Sequence, residues 1–360
     1  METVSNSPNG DDGGHPSGKI TASEIHHQPL LWRDTFERMR KKYWRGWASG
    51  SGVLCGAGTS AYAAGAIQAA WPSCRAVATT DLITNPRILK YADFLLSLAR
   101  SGDSPESVAV VDMASRDFPD LPQLAITCNA NGQLAQRTKL NLSLLDPRTN
   151  DRSLVMTSSF SNLVLAGLSL SHQEILQNHL AAICTRAEYH LPEFDAQARD
   201  VARVAPSRVV VLVSAPLFPW AQEASLKILE MTAGRIAAIP ETYLGLRHGP
   251  MSFLDRSTLV LCLTSSDPLN RLYESDLINE LHAKQIGCVV AIAQADFSCD
   301  GIETRIEAVA PEIPDYLRTP FEIIFPQLLA YHLSLGSGLN PDNPSPNGII
   351  NRVVSGVKLY

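Results

Sequence analysis

The chain has 360 residues, 45% of them hydrophobic and 18% charged, with a formal net charge of −6 at pH 7. That length allows two domains with ample cores, and an acidic balance with no basic stripe leaves no electrostatic footprint for nucleic acid. The seven cysteines are scattered and include no CxxC pair, so they read as reduced core residues. The longest apolar stretch, Val209 to Trp220, is broken by Ser214 and Pro216 and is too short to span a bilayer. With no leader pattern at the N-terminus, a soluble cytoplasmic protein is expected.

Residues 1–18 are rich in Gly, Ser, Asn, Asp and Pro, a composition expected to form a flexible tail. His15, His26 and His27 lie near no carboxylate or cysteine at ligand spacing, so no metal site is expected there. Thr21 to Glu24 has the pattern of a capping box, with helix expected from Ile25 onward. Trp32, Phe36, Met39 and Tyr43 recur at helical spacing and are expected in the core.

Val53–Leu54–Cys55 reads as a buried parallel strand, followed by a glycine turn at 56–61 and a helix to Ala70. Further strands are predicted at 76–79, 94–98, 123–127 and 142–145, and helices start at Pro105 and near Thr157. The alternation recurs with strands at 208–213, 236–239, 258–264 and 288–292 and helices at 221–232 and 268–286. Two halves of this kind predict an α/β chain of two doubly wound parallel sheets packed together, with an N-terminal helix and tail. The expected boundaries are 1–18 for the tail, 19–200 for the first domain, and 201–360 for the second with a C-terminal tail.

A strand that turns through small residues into a helix N-terminus presents free N–H groups and a favourable dipole to an anion. The first turn, Gly56-Ala57-Gly58-Thr59-Ser60-Ala61, fits G-x-G-x-x-A, and Asp81 follows the second strand, so a dinucleotide is one reading. The alternative is a compact phosphate. Ser101, Ser104 and Ser107 sit in a Gly/Pro turn after the third predicted strand, and Thr157, Ser158 and Ser159 at a third helix start. Recurrent hydroxyl-rich turns favour the phosphate, although each cluster alone would be an ordinary helix cap.

The runs GAGTSA (56–61), ARSGDSPES (99–107), ITCNANGQLA (126–135) and EASLKILEMTAG (223–234) resemble the sugar isomerase (SIS) domain family. EIHHQPLLW (24–32), MTSSFSN (156–162), LGLRHGPMSF (244–253), GLNPDNPSP (338–346) and NRVVSGVKLY (351–360) are similar to one branch, the tagatose-6-phosphate ketose/aldose isomerase and galactosamine-6-phosphate deaminase group. The likeness runs from about residue 20 to 360 and implies two SIS, flavodoxin-like domains. It also implies a sugar-phosphate substrate, no cofactor and no metal, and a homodimer with sites at the subunit interface.

By this resemblance, Ser60, Ser101 and Ser104, with the backbone of Gly58, Thr59 and Gly102, hold the substrate phosphate. Thr157 and Ser158 lie near the sugar. Arg100 stands where the related glucosamine-6-phosphate synthase domain has a glutamine, and it either adds a charge-assisted contact or faces solvent. Glu230 matches the base that moves a proton between C2 and C1, and His248 matches the histidine associated with ring opening, which in the synthase comes from the neighbouring subunit. Ser355 falls where the synthase has its Schiff-base lysine, which argues against that route here. From spacing alone, Glu223, Lys227 and Glu230 share one helix face and read as a surface salt-bridge run, with Glu223 a weaker candidate for chemistry. The resemblance leaves open deamination, isomerisation without nitrogen loss, and a non-catalytic sugar-phosphate sensor.

Overall fold

Short runs of Val, Leu, Ile and Ala bounded by turn residues suit strands covered on both faces, and in the computed structural model Gly52–Gly56 and Thr258–Leu263 are buried throughout. The structure describes residues 18–41, 50–138, 142–345, 347–354 and 356–359; the expectations for Tyr43, Ser355 and the first 17 residues fall outside these. The first sheet contains β1 (Gly52–Gly56), β2 (Arg75–Ala78), β3 (Phe94–Ala99), β4 (Gln123–Thr127) and β5 (Leu142–Leu144), ordered β2-β1-β3-β4-β5. The second contains β6 (Arg208–Val213), β7 (Ala237–Thr242), β8 (Thr258–Leu263), β9 (Cys288–Ala293) and β10 (Thr304–Glu307), ordered β10-β9-β8-β6-β7. Every pairing is parallel, and read from its other edge the second order repeats the first. The two predicted parallel sheets are therefore present, and β10 was not anticipated.

The two sheets are joined through helices with small faces. The helix Thr59–Ala70 carries buried Ala63, Ala64, Ala66 and Ala70 and packs against both Ser158–Ser171 and Phe218–Met231. A Cβ on Gly167 would lie 2.1 Å from Ile67 Cδ1, so at that crossing any larger residue requires the Ile67 side chain to move. The same helix approaches the second module closely at Gly65, where an added Cβ would lie 3.4 Å from Pro219. These contacts set the loop after β1 against the end of the helix Phe218–Met231.

At the N-terminus the helix begins at Lys19, ahead of the expected capping box, with Gly18 as its cap at φ 87°. Thr21 and Glu24 are thus inside the helix and bond elsewhere. Thr21 donates through N at 2.8 Å and Oγ1 at 2.9 Å to Asp342 Oδ1, and Glu24 accepts from the Arg152 amide at 2.6 Å. A second helix, Gln28–Lys41, buries Trp32, Phe36 and Met39 as expected. Asp342 also marks the return of the chain end to the first module, where its carbonyl accepts from the Leu154 amide at 3.0 Å.

Candidate active site

In a parallel sheet of order 2-1-3-4-5, crossovers leave β1 and β3 in opposite directions, and a crevice opens at their C-terminal ends. The loops after β1 and β3 meet there in a cleft of about 370 Å³. It is lined by Gly58, Thr59 and Ser60 from the first loop and by Arg100, Ser101, Gly102 and Ser104 from the second. Glu230 enters from the second module, and residues 349–354 of the C-terminal segment cross the opening.

Gly58 takes φ 54°, ψ −127°, a conformation that L side chains avoid, and caps the helix Thr59–Ala70. The turn is closed by Ser60 N donating to Ala57 O at 3.0 Å and Ala61 N to Gly58 O at 2.8 Å. The Ser60 hydroxyl has no hydrogen bond among the described residues. In the second loop Gly102 is at φ 72°, and Ser101 Oγ accepts from the Asp103 amide at 3.2 Å. Ser104 Oγ donates to Glu106 at 2.7 Å. Together these groups form a cradle of helix N-terminal amides and hydroxyls suited to a tetrahedral anion.

The charged run at 223–230, read from spacing as a surface feature, is largely buried. Glu223 and Lys227 have 0% side-chain exposure and Glu230 has 24%. Lys227 Nζ lies 3.4 Å from Glu223 Oε1, donates to Thr59 Oγ1 at 3.1 Å, and is hydrogen-bonded to Glu230 Oε2. Thr59 in turn donates to Glu223 at 3.4 Å, so its hydroxyl serves this network and leaves its backbone for the cradle. Burial pushes the Glu223 carboxyl up to about 8, with Lys227 opposing and Glu230 reinforcing. Burial works against the Lys227 ammonium too, but the two carboxylates more than offset it and raise its pKa. With Glu223 carrying a proton, Lys227 pairs with Glu230 and the buried group is close to neutral. Glu230 alone faces the cleft.

Thr157 and Ser158 do not line this cleft. Both are fully buried, and the amides of Thr157, Ser158 and Ser159 donate to the Asp151 carboxylate at 2.8, 3.2 and 2.9 Å. A side-chain carboxylate thus sits at that helix start. His248 is exposed in the turn after the helix Tyr243–Leu246 and is also absent from the lining. Arg100, left open by the sequence, is buried and lines the cleft, donating to the carbonyls of Leu154 at 3.0 Å, Ser153 at 3.4 Å and Arg352. Sequence reasoning missed Lys227 as a buried partner and residues 349–354 as a wall.

The second module has the corresponding crevice between β6 and β8, where its own acids engage the loop amides and hydroxyls. Glu274 accepts from Ser214 Oγ at 2.6 Å and from the Ser265 amide at 2.9 Å, and burial pushes it up to about 7. Asp315 accepts from the Ser266 amide at 2.7 Å and from the Ser265 hydroxyl, with Arg318 at 3.1 Å. An open cavity of about 570 Å³ lies at this edge too, lined by Pro216, Ser266, Asp267 and Asp315, so the second crevice differs from the first in carrying carboxylates of its own module among its lining groups. Among the described residues no cluster of His, Cys, Asp or Glu could hold a metal, and no helix is long and apolar enough to cross a membrane.

Two parallel-sheet modules, with a cleft lined by amides and hydroxyls that a carboxylate enters from the other module, define the class of fold and site. Comparison with known proteins narrows this class. No family model matches the chain. It is 35% identical to D-galactosamine-6-phosphate deaminase AgaS of Shewanella sp. (strain ANA-3), over 94% of this chain and 91% of that one. It is 34% identical to the AgaS deaminase of Escherichia coli O157:H7, over 96% of each. The crystal structure of tagatose-6-phosphate ketose/aldose isomerase from Escherichia coli superposes with a TM-score of 0.80 at 31% identity, covering 95% of this chain and 97% of that one. The chain belongs to the SIS-domain superfamily, within the group of tagatose-6-phosphate isomerases and AgaS-like deaminases.

Proposed function

We propose that this protein is an amino-sugar 6-phosphate deaminase/isomerase converting galactosamine 6-phosphate to tagatose 6-phosphate and ammonia. The observation that carries this reading is the position of Glu230 in the same cleft as the anion cradle, held by a buried lysine. The substrate phosphate sits on the amides of Gly58 and Thr59, the Ser60 hydroxyl and the Ser101–Ser104 loop, with Arg100 beside it, and the sugar extends toward Glu230.

In the open-chain aldehyde, Glu230 removes the proton from C2, the electron pair forms the C1–C2 double bond, and the C1 carbonyl pair moves to O1, which takes up a proton to give an enolamine. Return of the proton to C1 gives a C2 imine. Water adds at C2, the C–N bond breaks, and ammonia leaves with a ketose phosphate. Lys227 fixes the Glu230 carboxylate, and the protonated Glu223 behind it keeps the buried charge balanced. His248, exposed on this chain, assists ring opening in the site of a partner subunit in a homodimer. Isomerisation of an aldose phosphate without an amino group uses the same proton shift, and the likeness to the Escherichia coli tagatose-6-phosphate ketose/aldose isomerase favours keeping it as the second reading.

Ammonia and ketose phosphate are assayed together from galactosamine 6-phosphate. Ammonia in equal amount to the ketose supports the deaminase; interconversion of tagatose 6-phosphate and galactose 6-phosphate without ammonia release from the amino sugar replaces it with the isomerase.

A further inference from the structure

Two guanidinium groups border the cleft, and neither has a carboxylate within 4.0 Å among the described residues. Arg100 is 7% exposed and makes its hydrogen bonds only to the neutral carbonyls of Ser153, Leu154 and Arg352. Arg352, on the C-terminal segment, donates Nε to Asp151 O at 2.8 Å, and Nη2 to Asp151 O at 2.6 Å and Asn150 Oδ1 at 2.7 Å. Its Nη1 and the Nε of Arg100 have no acceptor among the described residues.

Burial lowers the pKa of Arg100 and the neighbouring Arg352 charge lowers it further, while Asp151, Cys128 and Glu230 act weakly in the other direction. The carboxylate acting most on Arg100, Asp151, is already occupied by the amides that open the helix Ser158–Ser171. Two mutually repelling cations with neutral partners are unfavourable unless an anion is shared between them. Both border the cleft that holds the Gly58–Ser60 amides.

We propose that Arg352 is a substrate-binding residue that completes, with Arg100, a two-guanidinium clamp on the phosphate group and thereby draws residues 349–354 over the bound sugar phosphate. The clamp rests on the reading of the cleft as a sugar-phosphate site. Arginine suits the role because its planar fork donates to two phosphate oxygens at once. Arg100 also donates to the Arg352 carbonyl, so clamp and chain end move together.

The test uses the full chain and inorganic phosphate as the probe, by calorimetric titration of the parent, Arg352→Gln and Arg352→Lys. Arg352→Gln is expected to weaken phosphate binding about tenfold or more, with a smaller loss for Arg352→Lys. Amide exchange of 349–354 in the parent is expected to slow when phosphate is added. Phosphate binding unchanged in Arg352→Gln, or exchange in the parent indifferent to phosphate, overturns the clamp. With galactosamine 6-phosphate as substrate, Arg352→Gln raises KM and leaves kcat within about threefold; equal weakening of unphosphorylated galactosamine would make Arg352 a mere anchor and overturn the proposal. The deaminase reading fails separately. A parent that releases no ammonia but loses phosphate binding in Arg352→Gln keeps the clamp, and a parent that releases ammonia but binds phosphate independently of Arg352 loses it.

Discussion

Replacing Glu223 by glutamine removes one titrating proton from the molecule and little else. The carboxyl is fully buried, its Oε1 faces Lys227 and Thr59 at 3.4 Å each, and its Oε2 has no partner. Its pKa rises from 4.5 to about 8 because burial disfavours the anion more than Lys227 favours it. A raised carboxyl means that the folded protein holds a proton the unfolded chain has lost. Stability associated with Glu223 is therefore fully present below pH 4.5 and declines as pH rises through about 8. Integrated over that window, the decline is on the order of 5 kcal/mol. An amide mimics the protonated acid in shape and accepts from the same two donors. At pH 5, Glu223→Gln should match the parent to within about 1 kcal/mol, and by pH 9 it should be more stable by several kcal/mol. Glu24 and Glu274 are also raised, each to about 7, but they are common to both proteins and cancel in the difference. Urea denaturation of the two proteins side by side from pH 5 to pH 9 measures it. A difference that stays constant with pH would show that Glu223 is ionised in the folded state and refute the neutral-network argument.

Gly167→Ala should cost about 1–3 kcal/mol by forcing Cβ against Ile67, with partial rescue by Ile67→Val in a denaturation cycle; a loss below about 0.5 kcal/mol would mean the helices can separate freely. Gly58→Ala meets no atom within 4 Å but must hold φ 54°. It should store about 1–3 kcal/mol of strain or re-aim the turn, and KM for the sugar phosphate should rise; an unchanged KM would remove the turn from the site. Glu230→Gln and His248→Asn, inactive alone, should regain about a quarter of parental turnover when mixed and reassembled, because half the dimers then carry one complete site. No recovery after verified subunit exchange would contradict action of His248 on a partner.

The central strands were legible because runs such as Val209 to Val213 and Thr258 to Leu263 are almost wholly apolar, as strands covered on both faces require. β10 escaped because Thr304-Arg305-Ile306-Glu307 is a short edge strand with a single buried apolar residue, Ile306. The glycine turn and serine loop were readable for a local reason: the residues that shape each turn adjoin those that would bind the anion. The Glu223–Lys227–Glu230 face was misread because i, i+3 and i, i+4 spacing is identical on exposed and buried helix faces. Only the packing of the helix Thr59–Ala70 on Phe218–Met231 decides which it is. The hydroxyls at 157–159 looked like a third phosphate site, and nothing in their immediate sequence shows that Asp151 folds back onto their amides. Arg352 meets Arg100 and Asp151 across some 200 to 250 residues of chain, a proximity that no local pattern encodes.

The most direct measurement is ammonia release with ketose phosphate formation from galactosamine 6-phosphate, compared with glucosamine 6-phosphate and repeated with Glu230→Gln. Stoichiometric ammonia and ketose from the galacto sugar, lost by at least about a thousandfold in the variant, is the expected result. Undiminished turnover in Glu230→Gln would contradict the assignment of the base, and no ammonia from either amino sugar would contradict the deaminase reading itself.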